Sequence, residues 1–243
     1  MKLVKLNATN STNTYLKALN ETNFVEDFTI VSTKEQTNGR GQMGAVWQSQ
    51  ASKNLMFSVF KDVSKYKNKD SFYICIVTTL SLLKALKSLN IPRLSVKWPN
   101  DILSANKKIC GVLIENVIKK SQMYASIIGI GLNVNQIEFE NLPRASSLKL
   151  ISGKTFDLDE LTMLIVKYMK AYFDLLKNEK FDVLKTEYEA NLFRKNKPST
   201  FKNAEGVMFT GFIKSVSESG HLQVLLEDNI LKAFDLKEIT LLY

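Results

Sequence analysis

Hydrophobic and polar positions along this chain change period several times, and each change marks an element. FTIVST (28–33) and NLMFSVF (54–60) are short apolar runs of strand length. From Ser71 to Leu89, apolar residues recur at helical spacing until Asn90–Ile91–Pro92 stops the pattern. LSVKW (94–98) predicts a short strand. Lys108–Val117 and Met123–Asn133 predict a strand pair joined by a turn at Lys119, Lys120 and Ser121. Two amphipathic helices follow, at 157–177 and 181–193, with Asp157 as the cap of the first. Residues 14–20 read as a short helix behind the polar cap Asn10–Ser11–Thr12. After Pro198 short strand-like runs alternate with turns, which predicts a small β-barrel appended to a mixed α/β domain. The expected boundary lies between residues 195 and 196, giving domains 1–195 and 196–243. The pattern shows no internal repeat and no low-complexity linker.

Composition narrows the chemistry. No apolar run approaches the roughly 20 residues of a membrane span, and the N-terminal segment lacks the pattern of a secretory signal. The two cysteines, Cys75 and Cys110, lie in apolar surroundings. Reduced thiols in a cytoplasmic protein fit them better than a disulfide framework. There is no Cys/His cluster and a single histidine, His221, which argues against a zinc site and against a Ser-His or Cys-His nucleophile; beside Gly220 it reads as a turn residue. The net charge of +9 is spread over scattered lysines, which reads as a solvated surface.

NGRGQMGAVW (38–47) contains Gly39, Gly41 and Gly44 in the spacing of a dinucleotide fingerprint. That fingerprint must open a helix directly after a strand. Here AVWQSQASKN and then a strand follow, so a dinucleotide site is not expected. Glycines still permit close backbone approach to a ligand. Arg40 offers charge-assisted bonds to an anion, and Trp47 offers a flat apolar wall. The loop suits a small anionic ligand that it can fold over.

STNTYL near the start, GRGQMGAVW, KWPNDIL (97–103), KKICGVLIE (107–115) and IIGIGLNVN (127–135) occur in that order. In these five segments the chain resembles the biotin protein ligase family over nearly its whole length. KWPND and G-x-G-x-N are the specific segments. The resemblance implies an α+β catalytic domain on a mixed sheet, like class II aminoacyl-tRNA synthetases, with an SH3-like C-terminal module. It implies biotin–acetyl-CoA-carboxylase ligase activity through a biotinyl-AMP intermediate, using ATP and magnesium. The acceptor would be a lysine of a biotin carboxyl carrier domain. Longer members carry a winged-helix DNA-binding domain before the catalytic one. Here the STN segment begins at Ser11, so the expectation is a monofunctional ligase that binds neither DNA nor membrane. Edge strands offer a homodimer contact.

Such chemistry needs no covalent nucleophile. It needs two anions held together and charge stabilised on phosphorus oxygens. The resemblance assigns Lys108 to the biotin carboxylate and the phosphate, Arg40 to the same charge, and Asp101 to magnesium or a lysine. Lys97, Asn100 and Asn133 are implied ATP contacts. Small hydroxyls and amides at a helix start, Ser11, Thr12 and Asn13, can meet the ureido ring of biotin, with Gln36 as its implied amide partner. Gly39, Arg40, Gly41 and Gln42 form the loop over the ligand. Trp47, Leu113 and the backbone of Gly111 are the candidate apolar wall. Gly129 and Gly131 allow close approach to the backbone, and Trp98 reads as packing. The segment LPRASSL (142–148) offers no clear aromatic to cover the adenine.

Some members read GRGRRG where this chain reads GRGQMG, so Gln42 and Met43 replace arginines. A less tightly held biotinyl-AMP is the expected consequence. Two rivals compete. A lipoate or octanoate ligase or transferase shares the fold and takes a similar acid; KWPND and the glycine loop favour biotin. A nucleic-acid-binding module would need a basic patch with stacking aromatics. The terminal segment instead mixes Lys202, Lys214, Lys232 and Lys237 with Glu205, Glu218, Glu227, Asp228, Asp235 and Glu238.

Overall fold

A computed structural model describes residues 2–67 and 71–243, the side chain of Asp228 excepted. The chain runs β1 (Leu3–Thr9), α1 (Thr12–Thr22), β2 (Ile30–Gln36), β3 (Leu55–Asp62), α2 (Ser71–Ser88), β4 (Leu94–Lys97), β5 (Asp101–Ser104), β6 (Lys107–Lys119) and β7 (Gln122–Leu132). Then come α3 (Leu148–Ser152), α4 (Leu158–Lys177) and α5 (Phe181–Ala190). The last five strands are β8 (Pro198–Asn203), β9 (Met208–Val216), β10 (Leu222–Leu225), β11 (Leu231–Phe234) and β12 (Ile239–Leu242). The first seven strands form one sheet in the order β1-β2-β3-β7-β6-β5-β4. Only the β1–β2 pair is parallel among the described ladders of that sheet. The strands β1 and β5 and the short helix α3 were not evident from the pattern. Each is short or half-polar, and tertiary pairing rather than local period creates it.

Alternation along the central strands sorts side chains to two faces. Leu55, Phe57 and Val59 of β3, Ile128, Ile130 and Leu132 of β7, and Cys110 and Val112 of β6 point into the main core. That core is closed by α2, α4 and α5. The opposite face carries Ser58 and Phe60 of β3 and Ile127 of β7, and α1 packs there with Leu16. The helix α2 is long and apolar enough to cross a membrane by length and composition, which the sequence reading did not anticipate. It is buried almost all round. Its hydroxyls resolve the polar cost of that burial. Thr78, Thr79 and Ser81 donate to the carbonyls of Ile74, Cys75 and Val77, one turn back. It is the central core helix of the domain.

The C-terminal strands pair in the order β11-β10-β9-β8-β12. The expected barrel is therefore an open five-stranded sheet. The edges β11 and β12 do not pair with each other in any described ladder. Residues 235–238 turn the chain from one edge to the other, fastened by Asp235 and Glu238 side chains accepting from the backbone amides of Leu236 and Asp235. This sheet has its own stacked rings, Phe201, Phe209 and Phe234. Trp98 ties it to the rest of the chain: its Nε1 donates to the Gly220 carbonyl at 2.8 Å.

Candidate functional site

The site lies on the α1 face of the large sheet and is built on a glycine floor. Antiparallel register sets Gly111 opposite Gly131 and Leu113 opposite Gly129 across β6–β7. Across β3–β7 it sets Gly129 opposite Ser58 and Gly131 opposite Met56. Period two thus brings Gly111, Gly129 and Gly131 together where side chains would otherwise stand. Their space is taken. A Cβ on Gly129 would lie 2.4 Å from Asn13 Oδ1, and one on Gly131 would lie 2.4 Å from Trp47 Cε2. Above the floor is a cavity of about 290 Å³, near the lower end of small-molecule sites.

One end of the cavity is neutral and hydrogen-bonded. Ser58, fully buried in β3, donates to Thr12 Oγ1 at 2.7 Å or to Asn13 Oδ1 at 2.6 Å. The Thr12 amide donates to Gln36 Oε1 at 2.9 Å. Asn13 Nδ2 reaches Glu115 at 2.7 Å and the Leu113 carbonyl at 3.2 Å. Ser11 occupies the N-cap of α1 but makes no side-chain capping bond. Its amide is taken by Asn10 Oδ1 at 2.6 Å. The polar residues at this helix start thus mostly face the cavity instead of serving as caps.

The other end is charged. Lys97 and Asp101 are direct partners in the β4–β5 register, and Asp101 pairs with Gly111 of β6. Lys108 Nζ lies 2.7 Å from Asp101, and Lys97 Nζ 4.0 Å. A β-bulge decides the direction of Lys108. The register of β6 against β5 shifts between Ile102 and Leu103, leaving Ile109 as the extra residue. Strict alternation would send Lys108 to the core with Cys110. The bulge sends Ile109 there instead, fully buried, and lays Lys108 over Gly111. Burial lowers the Lys97 pKa from its usual range; Asp101 opposes this, while Lys108 and Arg144 add to it. Asn100 is held by a bond from its Nδ2 to the Val112 carbonyl.

The glycine loop forms the roof. Arg40 bridges to Val46, Trp47 N donates to Gly39 O at 3.0 Å, and a 3-10 turn at Gln42–Gly44 closes the tip. Met43 sits there with φ of 56°. No α-helix follows, as the failed fingerprint requires. Trp47 lies across Gly111 and Gly131, with Lys108 5.8 Å from its ring centre.

Of the residues singled out from sequence, Ser11, Thr12, Asn13, Gln36, Arg40, Gly41, Gln42, Trp47, Lys97, Asn100, Asp101, Lys108, Gly111 and Leu113 line this one cavity. Gly39 and Asn133 do not. A Cβ on Gly39 would lie 2.5 Å from the Trp47 carbonyl, so its smallness lets the loop close on itself. Asn133 is buried, donating from its backbone amide to Ile109 O and from Nδ2 to Ser146 O. Sequence reasoning missed Ser58 and Glu115, which hold the neutral end, and Leu236, which the C-terminal sheet contributes to the wall. It also missed the corner beyond Lys97, where Tyr243 lies 4.6 Å from the Arg144 guanidinium and 5.8 Å from Lys97 Nζ. Only the lone polar positions in the strand patterns of β3 and β6 hinted at the first two.

Comparison with known proteins places the chain in a family. The model of the biotin/lipoate A/B protein ligase family matches residues 6–133. The bifunctional ligase/repressor BirA of Bacillus spizizenii is 33% identical over 136 residues, 53% of this chain and 41% of that protein. The chain thus spans about two fifths of the length of the first curated relatives it matches. The biotin–acetyl-CoA-carboxylase ligase of Mycobacterium tuberculosis is 28% identical over 67% of this chain and 60% of its own. Among solved structures, the biotin protein ligase of Aquifex aeolicus in complex with biotin and ATP superposes with a TM-score of 0.83 and 30% identity, covering 99% of this chain and 98% of that one. By the family match over more than half its length, this chain belongs to the biotin/lipoate A/B protein ligase family.

Proposed function

We propose that this protein joins biotin to a lysine of a biotin carboxyl carrier domain, in two ATP-dependent steps. The observation that carries the reading is the polarity of this cavity: a neutral, buried hydrogen-bonding end, a wall of Trp47 over glycines, and an end bearing Lys97, Lys108 and Asp101. Biotin has the same order of parts, a ureido ring, an apolar ring and chain, and a carboxylate. Its neighbour from Aquifex aeolicus was solved with biotin and ATP.

In this reading Thr12, Asn13 and Gln36 meet the ureido group, with Ser11 beside them, and Leu113, Gly111 and Trp47 enclose the rest. A biotin carboxylate oxygen attacks the α-phosphorus of ATP, the bond to pyrophosphate breaks, and biotinyl-AMP forms. Lys108 and Arg40 stabilise the charge on carboxylate and phosphate oxygens. Lys97, Asn100 and Asn133 serve the nucleotide. The acceptor lysine, as a free amine, then attacks the acyl carbon, loses a proton, and AMP departs. Gly39, Gly41 and Gln42 shape the lid over the intermediate.

Among the described residues no group of three His, Cys, Asp or Glu side chains is arranged to hold a metal. A magnesium ion carried on nucleotide phosphates needs only one or two protein carboxylates, and Asp101 fits that need. When bound, the ion neutralises phosphate charge. Two free, buried cysteines support a reducing, cytoplasmic setting.

The test is the intact mass of a biotin carboxyl carrier domain and of a lipoyl domain after incubation with the protein, ATP and magnesium. Biotin, lipoate and octanoate go into separate tubes. Gain of one biotinyl group on the carrier domain is the expected result. Gain only on the lipoyl domain with lipoate or octanoate moves the substrate within the family. No gain in any tube overturns the reading.

A further inference from the structure

Glu115 stands just outside the cavity, yet it touches both of its walls. One carboxylate oxygen accepts from Asn13 Nδ2 at 2.7 Å, at the buried neutral end. The same carboxylate accepts from Arg40 Nη2, at 3.0 and 3.2 Å, in the glycine loop. Arg40 also reaches Thr14 Oγ1 at 3.2 Å. The strand period explains the placement: Glu115 follows Gly111 and Leu113 on the cavity face of β6. The two contacts differ in depth. Asn13 is buried, so that bond is fixed by its surroundings. Arg40 is 43% exposed and Glu115 31%, so their pair is partly solvated and easily exchanged.

We infer that Glu115 is a positioning residue that holds Arg40 in the roof of the cavity and yields it to a nucleotide phosphate when ATP binds. The inference rests on the reading of this cavity as a biotin and ATP site. Arg40 has one guanidinium and two anions to choose between. Without nucleotide, Glu115 neutralises it and holds the loop near its docked position. With nucleotide, the phosphate is the stronger acceptor for a guanidinium, and Glu115 keeps its bond to Asn13. The carboxylate is therefore a competitor for the phosphate. It lowers apparent nucleotide affinity, and in exchange keeps the Arg40 guanidinium paired until nucleotide arrives.

The experiment measures biotin-dependent pyrophosphate release from the whole chain, with KM for ATP and for biotin taken separately. The proteins are wild type, Glu115→Gln, Arg40→Ala and the double variant. Glutamine keeps an acceptor for Asn13 and removes the competing charge. Glu115→Gln should lower the KM for ATP by roughly fivefold, the scale of a partly exposed ion pair, with the KM for biotin unchanged. In the Arg40→Ala background the substitution should have no effect. A raised or unchanged KM for ATP in Glu115→Gln, or the same shift without Arg40, overturns the inference. A shift in the biotin KM alone overturns the choice of phosphate as the competing anion. Thermal unfolding of each variant separates these outcomes from misfolding; if Glu115→Gln is unstable, Glu115→Asp, which shortens the reach to Arg40, supplies the same comparison. Wild type that releases no pyrophosphate with biotin fails the functional reading itself and takes this inference with it.

Discussion

The two ends of the cavity are built on different physical principles. At the neutral end the polar groups are linked before any ligand arrives: Ser58 donates to Thr12 or Asn13, the Thr12 amide donates to Gln36, and Ser58, Thr12 and Asn13 are buried. Such a network is rigid, because each missing partner would leave a buried polar atom unpaired. At the charged end Lys108 pairs with Asp101, and in the roof Arg40 pairs with Glu115; both pairs are partly exposed. Pairs of that kind exchange partners at little cost. A rigid neutral end selects shape and hydrogen-bond pattern. An exchangeable charged end can meet a carboxylate, then a phosphate, then release a product.

Four substitutions probe that division. The largest effect is expected from Lys108→Ala, which removes a cation from the reacting centre. Adenylation should fall by about a hundred- to a thousandfold while the unfolding temperature stays near wild type, measured by pyrophosphate release and thermal denaturation. A small loss of rate would mean that the charged end does not reach the reacting atoms. Ser58→Ala should act in the opposite sense. It strips a buried donor and costs about 1–3 kcal/mol of stability, with a higher KM for biotin and an unaltered KM for ATP. Equal shifts in both constants would erase the distinction between the ends.

Lys97→Met separates stability from function. Burial depresses the Lys97 pKa below its ordinary 10.5. A lysine lowered in this way opposes folding while it is protonated in both states, and that penalty fades as pH rises through the folded pKa towards 10.5. The methionine variant should therefore unfold at a higher temperature than wild type near neutrality, and the gap should narrow on alkaline titration. Its nucleotide-dependent activity should drop. A gap that widens with pH would refute the assignment of burial as the dominant cause. The smallest effect belongs to Gln42→Arg, which restores a charge to the lid. It should slow biotinyl-AMP dissociation by a fewfold, the size of one exposed charge contact. An unchanged rate would show that position 42 does not reach the intermediate.

Much of the sheet and its helices was legible because apolar period is a local property. The runs at 28–33 and 54–60, the helix from Ser71 and the pair around residues 119–121 all appear near their expected bounds. Misreadings arose where structure is nonlocal. The strand β5 was missed: Asp101 begins it directly after the turn at Trp98, Pro99 and Asn100, because pairing with β4 and β6 rather than local period creates it. The C-terminal strands read as a barrel, yet whether a sheet closes depends on pairing between β11 and β12, which no local pattern encodes. The site residues found early were those in distinctive motifs. Ser58 and Glu115 were missed because a lone polar residue in a strand looks like solvent-facing alternation until the neighbouring strands are placed.

By itself the sequence determined the order of the elements, the chemistry available to the site and, through five short segments, the family. Only the tertiary structure decided that three glycines on two strands meet to make one floor, and that a bulge at Ile109 turns Lys108 from the core to the cavity. It alone set Glu115 between Asn13 and Arg40. The physical reason is register: a strand's period assigns each side chain to one of two faces, but which residues become neighbours on that face is settled only when the strands pair.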